Sequence, residues 1–264
     1  MQQLANKTAV VTGAASGIGK ALAAKAYAEG MNVVLADLDE AGVIAAAAEL
    51  DSASERTLAV ACDASDYAAV EQLRDAAIAK FGGVHLVCNN AGVGAGGKMW
   101  ELDLDYWKFV LDVNLWGVIH GVKAFTQGMI DQGEGHIVNT ASIAGLMSCP
   151  GMGPYNVSKH AVVTLSETLA SELRNEPSEV GVSVLCPSFV QSQIFNSARY
   201  KDETSAEEQE GLDQAAEFYK TAMPAEQAAE MVFNAVKNND FYVSTHGDSN
   251  TGINKRMQAI IDRG

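Results

Sequence analysis

Short runs of β-branched and aliphatic side chains alternate, along this 264-residue chain, with longer stretches whose apolar positions recur every three or four residues. The short runs are TAVVTG (8–13), NVVLAD (32–37), TLAVACD (57–63), HLVCNNAG (85–92), GHIVNTAS (135–142), GVSVLCPS (181–188) and DFYVST (240–245). Several are apolar on both faces, as a parallel strand covered by helices on both sides must be. Between them lie helical stretches such as KALAAKAYAEG (20–30) and the Ala-rich EAGVIAAAAEL (40–50), and Val70, Leu73, Ala77 and Phe81 recur at helical spacing. Strand, helix and strand repeated in this way require right-handed crossovers and build a three-layer α/β sheet. The pattern therefore predicts a doubly wound parallel seven-stranded sheet flanked by helices. No linker rich in Pro, Gly or Ser divides it, so residues 1–264 read as a single domain.

One segment breaks the rhythm. Residues 196–223 include the acidic run YKDETSAEEQEGLDQAAEFYK. Residues 189–223 are read as a substrate-binding lid segment over the carboxyl ends of the strands, where α/β sheets bind ligands. A solvated surface insertion is the alternative.

Charge narrows the function. Lys and Arg number 18 against 33 Asp and Glu, a formal net charge of −15, which repels phosphate backbones and argues against nucleic acid as a partner. Cys62, Cys88, Cys149 and Cys186 are widely spaced with no CxxC pair, and the five histidines lack ligand spacing. Neither a disulfide framework nor a metal site is expected. The uncharged stretch 137–158 is long enough to span a membrane, but its Asn, Ser, three glycines and two prolines exclude a transmembrane helix. The start lacks a signal-peptide pattern. A soluble cytoplasmic protein with a small-molecule substrate is the expectation.

Candidate chemistry begins with TGAASGIG, with Gly13, Gly17 and Gly19 between a predicted strand and a helix. Glycine at the strand end permits a tight turn, and the later glycines admit close backbone approach to a ligand. The N–H groups around Ser16, Gly17, Ile18 and Gly19 then open a helix toward an anion, a pyrophosphate being the best fit. The spacing is GxxxGxG. Asp37 ends the second strand, 18 residues after Gly19, where a carboxylate accepts from ribose hydroxyls and repels a 2′-phosphate. NAD is therefore expected over NADP.

Further motifs follow in order: Asp63 in CDAS, NNAG at 89–92, Asn114 in NLWG, Ser142, and Tyr155-x-x-x-Lys159. This ordered set resembles the short-chain dehydrogenase/reductase family over nearly the whole chain. The resemblance implies a Rossmann-type sheet, NAD as cofactor, and a homotetramer or homodimer. It assigns Asn114, Ser142, Tyr155 and Lys159 to catalysis. Asp63 and Ala64 would contact adenine, and Asn89, Asn90, Ala91 and Gly92 would line the adenine-ribose side while NNAG ties the central strands. Asn114 would hold a water in a relay to Lys159, which would also bind the nicotinamide ribose, and Ser142 would bond the substrate oxygen. The family usually has Pro-Gly-x-Val-x-Thr after the sixth strand. This chain has Pro187, Ser188, Phe189, Val190, Gln191 and Ser192: Pro187, Val190 and Ser192 keep their cofactor places, whereas Ser188 replaces glycine and implies a shifted backbone.

The chemistry is physically reasonable. A phenol of pKa about 10 is a poor base at neutral pH, and a nearby ammonium favours its phenolate. Met99, Met147, Cys149, Met152, Phe189 and Phe195 give the expected pocket mainly apolar walls. The expected reaction is hydride transfer between NAD(H) and a bulky, apolar or aromatic secondary alcohol or ketone. A 3-oxoacyl or steroid-type ketone reductase is the alternative within the family, and a non-catalytic dinucleotide-binding regulator is the alternative outside enzymes. Sugar-nucleotide epimerases share the Tyr and Lys but fit poorly in length and glycine spacing.

Overall fold

The computed structural model describes residues 1–94, 96–192, 194, 221–247 and 250–263. Seven strands form one parallel sheet in the order β3-β2-β1-β4-β5-β6-β7. They are β1 (Thr8–Thr12), β2 (Asn32–Asp37), β3 (Thr57–Ala61), β4 (Leu86–Asn89), β5 (Glu134–Thr140), β6 (Glu179–Cys186) and β7 (Tyr242–Ser244). The connecting helices are α1 (Gly17–Ala28), α2 (Glu40–Leu50), α3 (Tyr67–Phe81), α4 (Leu104–Leu111), α5 (Gly117–Gln132), α6 (Gly153–Leu173) and α7 (Ala225–Asn238), and α8 (Asn250–Ile261) follows β7. The predicted doubly wound sheet is present.

Aspartates set several helix starts. Asp39, Asp66 and Asp103 cap α2, α3 and α4, their carboxylates accepting from the N–H groups of Gly42, Ala68 and Tyr106 at 2.9–3.0 Å. Pro154 lies in the first turn of α6, where its missing N–H costs nothing.

Alternate residues of the inner strands serve opposite faces, so both are apolar. Ala9, Val11, Val33, Leu35 and Leu86 pack with Leu22 of α1 and Phe233 of α7. Val10, Val34, Val87 and Ile137 pack on the other face with Leu73 of α3, Phe125 and Met129 of α5, and Leu169 of α6. Among the described residues, no helix is long and apolar enough to cross a membrane.

The sheet centre also holds a chain of hydrogen-bonded polar side chains. Asn89 Nδ2 donates to Asn139 Oδ1 at 2.9 Å, Asn139 Nδ2 to Ser166 Oγ at 3.0 Å, and Ser166 Oγ to the Val162 carbonyl at 2.7 Å. This chain joins β4 and β5 to α6. A parallel connection of this kind is worth about 1 kcal/mol per bond when complete and costs more when broken. Nearby, His136 Nε2 lies 2.8 Å from Ser183 Oγ, which donates to the Asp240 carbonyl. Since that hydroxyl proton is committed, Nε2 must carry the ring proton.

Candidate active site

The sheet order reverses between β1 and β4, and the candidate residues collect at the carboxyl ends of the strands flanking that point. Gly13 follows β1 with φ +69°, in the left-handed region, and a Cβ there would lie 3.0 Å from Ala91 Cα. A Cβ on Gly19 would lie 2.0 Å from the Gly13 carbonyl oxygen, so only glycine closes this turn. The Ser16 hydroxyl makes no capping bond to α1, which leaves first-turn N–H groups for an anion. Ser192 reaches the same loop: its Cβ would be 3.2 Å from a Cβ on Gly17.

Asp37 does more than the sequence indicates. Its carboxylate accepts from the Ala15 N–H at 2.9 Å and the Asp39 N–H at 3.0 Å. It therefore ties the glycine loop to the end of β2, while retaining lone pairs for hydroxyl donors. Asp63 Oδ1 accepts from both the N–H and the hydroxyl of Ser65, and Ala64 beside it is buried.

Thr12, at the head of the glycine motif, is a positioning residue the sequence reading passed over. Its Oγ1 accepts from the N–H groups of Asn90 and Ala91 at 3.0 and 3.1 Å, and Asn90 Nδ2 donates to the Thr12 carbonyl at 3.0 Å. The NNAG segment is thereby fixed against β1. Asn89 points into the core toward Asn139, which is the strand-tying role expected of NNAG and leaves the ligand side to Asn90, Ala91 and Gly92.

Asn114 sits in a π-helical turn, Asp112–Trp116, between α4 and α5. It is fully buried and grips the Val93 main chain, Oδ1 accepting from the N–H at 2.7 Å and Nδ2 donating to the carbonyl at 2.9 Å. Nδ2 also approaches Ser158 Oγ at 3.3 Å, whose proton goes to the Tyr155 carbonyl. A Cβ on Gly92 would meet Asn114 Oδ1 at 3.2 Å and Lys159 Nζ at 3.5 Å. Asn114 and Lys159 thus face one small space beside Gly92.

Tyr155 and Lys159 share the buried face of α6, with Lys159 Nζ 5.5 Å from the Tyr155 ring centroid. Lys159 Nζ donates to the Thr140 carbonyl at 3.0 Å. Its burial lowers the ammonium pKa from 10.5 to about 8. Ser142 caps the turn Ile143–Gly145, accepting from the Ala144 N–H at 3.1 Å, and its hydroxyl faces the Pro187 carbonyl at 3.4 Å. Cys186 lies buried behind it, its thiol pushed up to about 12 by desolvation.

The departure at Ser188 is resolved by geometry. Its φ is not positive, and its N–H donates to Thr245 Oγ1 at 3.1 Å, so the replaced glycine requires no shift of the backbone. Val190 is buried and pairs with Met223, with the Gln191 N–H donating to the Met223 carbonyl. The two ends of the expected lid segment are thereby held together. Residues 193 and 195–220, including Phe195 and the acidic run, lie outside the described residues.

Apolar side chains surround the tyrosine. Val93, Val110, Ala144 and Tyr155 form a cluster with Phe109, Met152 and Ile194 packed against it. Lys98, in the segment after Val93, pairs with Glu101 at 3.1 Å. An open groove of about 1060 Å³ lies at the opposite end of the sheet, lined by charged residues such as Glu134, Glu179 and Lys237, and contains none of the candidate residues. Among the described residues, no group of three His, Cys, Asp or Glu side chains gathers to hold a metal.

Comparison with known proteins identifies the family. The family model described as short chain dehydrogenase matches residues 7–203. The chain is 35% identical over 256 residues to the 1-deoxy-11-beta-hydroxypentalenate dehydrogenase of Streptomyces avermitilis, covering 96% of this chain and 89% of that protein. It is 32% identical to the CLA biosynthesis dehydrogenase/reductase of Lactiplantibacillus plantarum, covering 100% and 96%. A short chain dehydrogenase/reductase from Burkholderia phymatum, solved in complex with NAD, superposes with a TM-score of 0.92 at 41% identity, covering 100% of this chain and 97% of that one. With its glycine loop, its Tyr155–Lys159 pair and the match over most of its length, this chain belongs to the short-chain dehydrogenase/reductase family.

Proposed function

We propose that the protein transfers hydride between NAD(H) and a secondary alcohol or ketone with a bulky, apolar or aromatic frame. The observation that carries this reading is that Asn114 and Lys159 face one space beside Gly92 with Tyr155 next to Lys159, while Ser142 lies just past the end of β5, beside a glycine turn able to receive a pyrophosphate.

The residues present fit the cofactor. Gly13, Ser16, Gly17, Ile18 and Gly19 would hold the pyrophosphate, Asp37 would accept from the ribose hydroxyls, and Asp63 and Ala64 would hold adenine. Asn90, Ala91 and Gly92 would line the middle of the site, Lys159 would hold the second ribose, and Pro187, Val190 and Ser192 would take the nicotinamide amide. When bound, NAD supplies the carbon that accepts or returns the hydride.

Tyr155 takes the proton from the alcohol oxygen, or returns it in reduction, and Ser142 donates to that oxygen as charge develops there. The ammonium of Lys159 favours the phenolate form of Tyr155. Because burial has lowered its pKa to about 8, Lys159 releases a proton more readily than an ordinary lysine. A water beside Gly92, held by Asn114, passes that proton on. The cluster around Tyr155 suits an apolar substrate frame. The relative named for hydroxypentalenate is consistent with this choice. The protein acts in the cytoplasm as a homotetramer or homodimer, for which the exposed Trp116 and Val157 offer apolar surface.

The test is NADH formation against secondary alcohols graded from small aliphatic to bulky aromatic, with NADP in parallel. Tyr155→Phe is expected to lose turnover by at least about 10²-fold while NAD affinity is kept. Near-normal turnover in that variant removes the mechanism, and equal kcat/KM with NADP removes the role of Asp37.

A further inference from the structure

We infer that His120, on the first turn of α5, positions the adenine end of the cofactor site. The inference rests on the proposed placement of adenine at Asp63 and Ala64. The His120 Nδ1 atom lies 3.0 Å from the Ala64 carbonyl oxygen. A carbonyl only accepts, so Nδ1 carries the proton and donates. Gly117, three residues earlier at the start of α5, lets the helix approach the same residue: a Cβ there would lie 3.3 Å from Ala64 Cβ and 3.4 Å from its oxygen. The imidazole is braced by Tyr67 and Trp116, whose ring centroids lie 5.4 and 5.9 Å away.

The loop between β3 and α3 is therefore anchored on two sides. Its entry is fixed by the Cys62 N–H donating to the Asp37 carbonyl at 2.8 Å, and its middle by His120. Asp63 lies between these anchors. Its Oδ1 is engaged by Ser65, which leaves Oδ2 as the oxygen able to accept from an exocyclic amine. Loss of the His120 donor leaves the Ala64 carbonyl without that partner and frees the segment carrying Asp63. The effect belongs to the adenine half of the ligand, because Tyr155, Lys159 and Ser142 sit on other elements.

The intact protein is titrated calorimetrically with NAD, AMP and nicotinamide mononucleotide, which has no adenine. His120→Phe keeps an aromatic ring against Tyr67 and Trp116 but removes the donor. His120→Asn places an amide N–H at the position of Nδ1. The Phe variant is expected to bind NAD and AMP about five-fold more weakly while its affinity for nicotinamide mononucleotide holds within about two-fold. The Asn variant is expected to recover most of the loss. Unchanged AMP affinity in the Phe variant overturns the inference, as does an equal loss for both half-ligands, which a general disturbance of α5 would give. A wild-type protein that binds neither NAD nor AMP removes the cofactor reading as well; tight wild-type binding with no response to His120→Phe removes only the role of His120.

Discussion

Among the described residues, the buried ammonium of Lys159 finds one oxygen acceptor, the Thr140 carbonyl, although it carries three donors. In the unfolded chain this lysine protonates near 10.5, whereas in the folded protein it stays neutral until about pH 8. Stability is therefore full above the unfolded value and falls as pH drops from 10.5 to 8, by about 1.4 kcal/mol per unit within that window. Lys159→Met, which keeps the length and removes the charge, should raise the unfolding free energy at pH 7 by about 1–3 kcal/mol while abolishing turnover. A urea titration decides it: a less stable variant would mean that the Thr140 bond outweighs the cost of burying the charge. The tyrosine and lysine were legible in the sequence because their spacing is a side-chain pattern. The Thr140 oxygen was not, since a main-chain carbonyl leaves no mark on residue identity. Asp37 shows the same limit: its carboxylate could be read as a ribose acceptor, but its bonds to Ala15 and Asp39 depend on where the chain turns.

Two of the three glycines of helix α5, Gly121 and Gly128, have opposite surroundings. A Cβ on Gly121 would lie 1.8 Å from Asn89 Oδ1, inside the polar chain that joins β4, β5 and α6, whereas a Cβ on Gly128 would meet nothing within 4 Å. Gly121→Ala should destabilise the protein by about 1–3 kcal/mol through overpacking. Gly128→Ala should stabilise it by about 0.5–1 kcal/mol, the helix-propensity gain alone. Equal denaturation midpoints for the two variants would refute this account of the α5–β4 contact. The seven strands could be located from their short apolar runs, most plainly β1, β2 and β4, which are buried at nearly every position, whereas β3 and β7 are only partly buried. The π-helical turn around Asn114 could not. One extra residue in a helix leaves the apolar period almost unchanged, yet it sets the direction of the Asn114 side chain.

Over the whole molecule, acid stability depends on histidines held neutral. Desolvation lowers His136 from 6.5 to about 3, and burial also lowers His85. Each is neutral in the fold at pH values where the unfolded chain takes up a proton. Stability is then intact above 6.5 and is lost as pH falls toward 3, His136 contributing up to about 1.4 kcal/mol per unit. Between pH 6.5 and 5, above the range of most carboxylates, His136→Gln should flatten the slope of unfolding free energy against pH by close to one proton. An unchanged slope there would place the acid sensitivity elsewhere. The repeating strand and helix pattern allowed a doubly wound sheet to be foreseen, but spatial order is a property of the crossovers, and the pattern alone does not say which strands become neighbours. That order has a consequence for synthesis. Ala9 pairs with Asn32–Asp37 on one side, opposite Val33, but on the other with Leu86, 77 positions further along. A chain emerging from the ribosome therefore presents β1 with one edge satisfied and the other open until Asn89 has been made, an apolar strand edge exposed to wrong pairing throughout that interval.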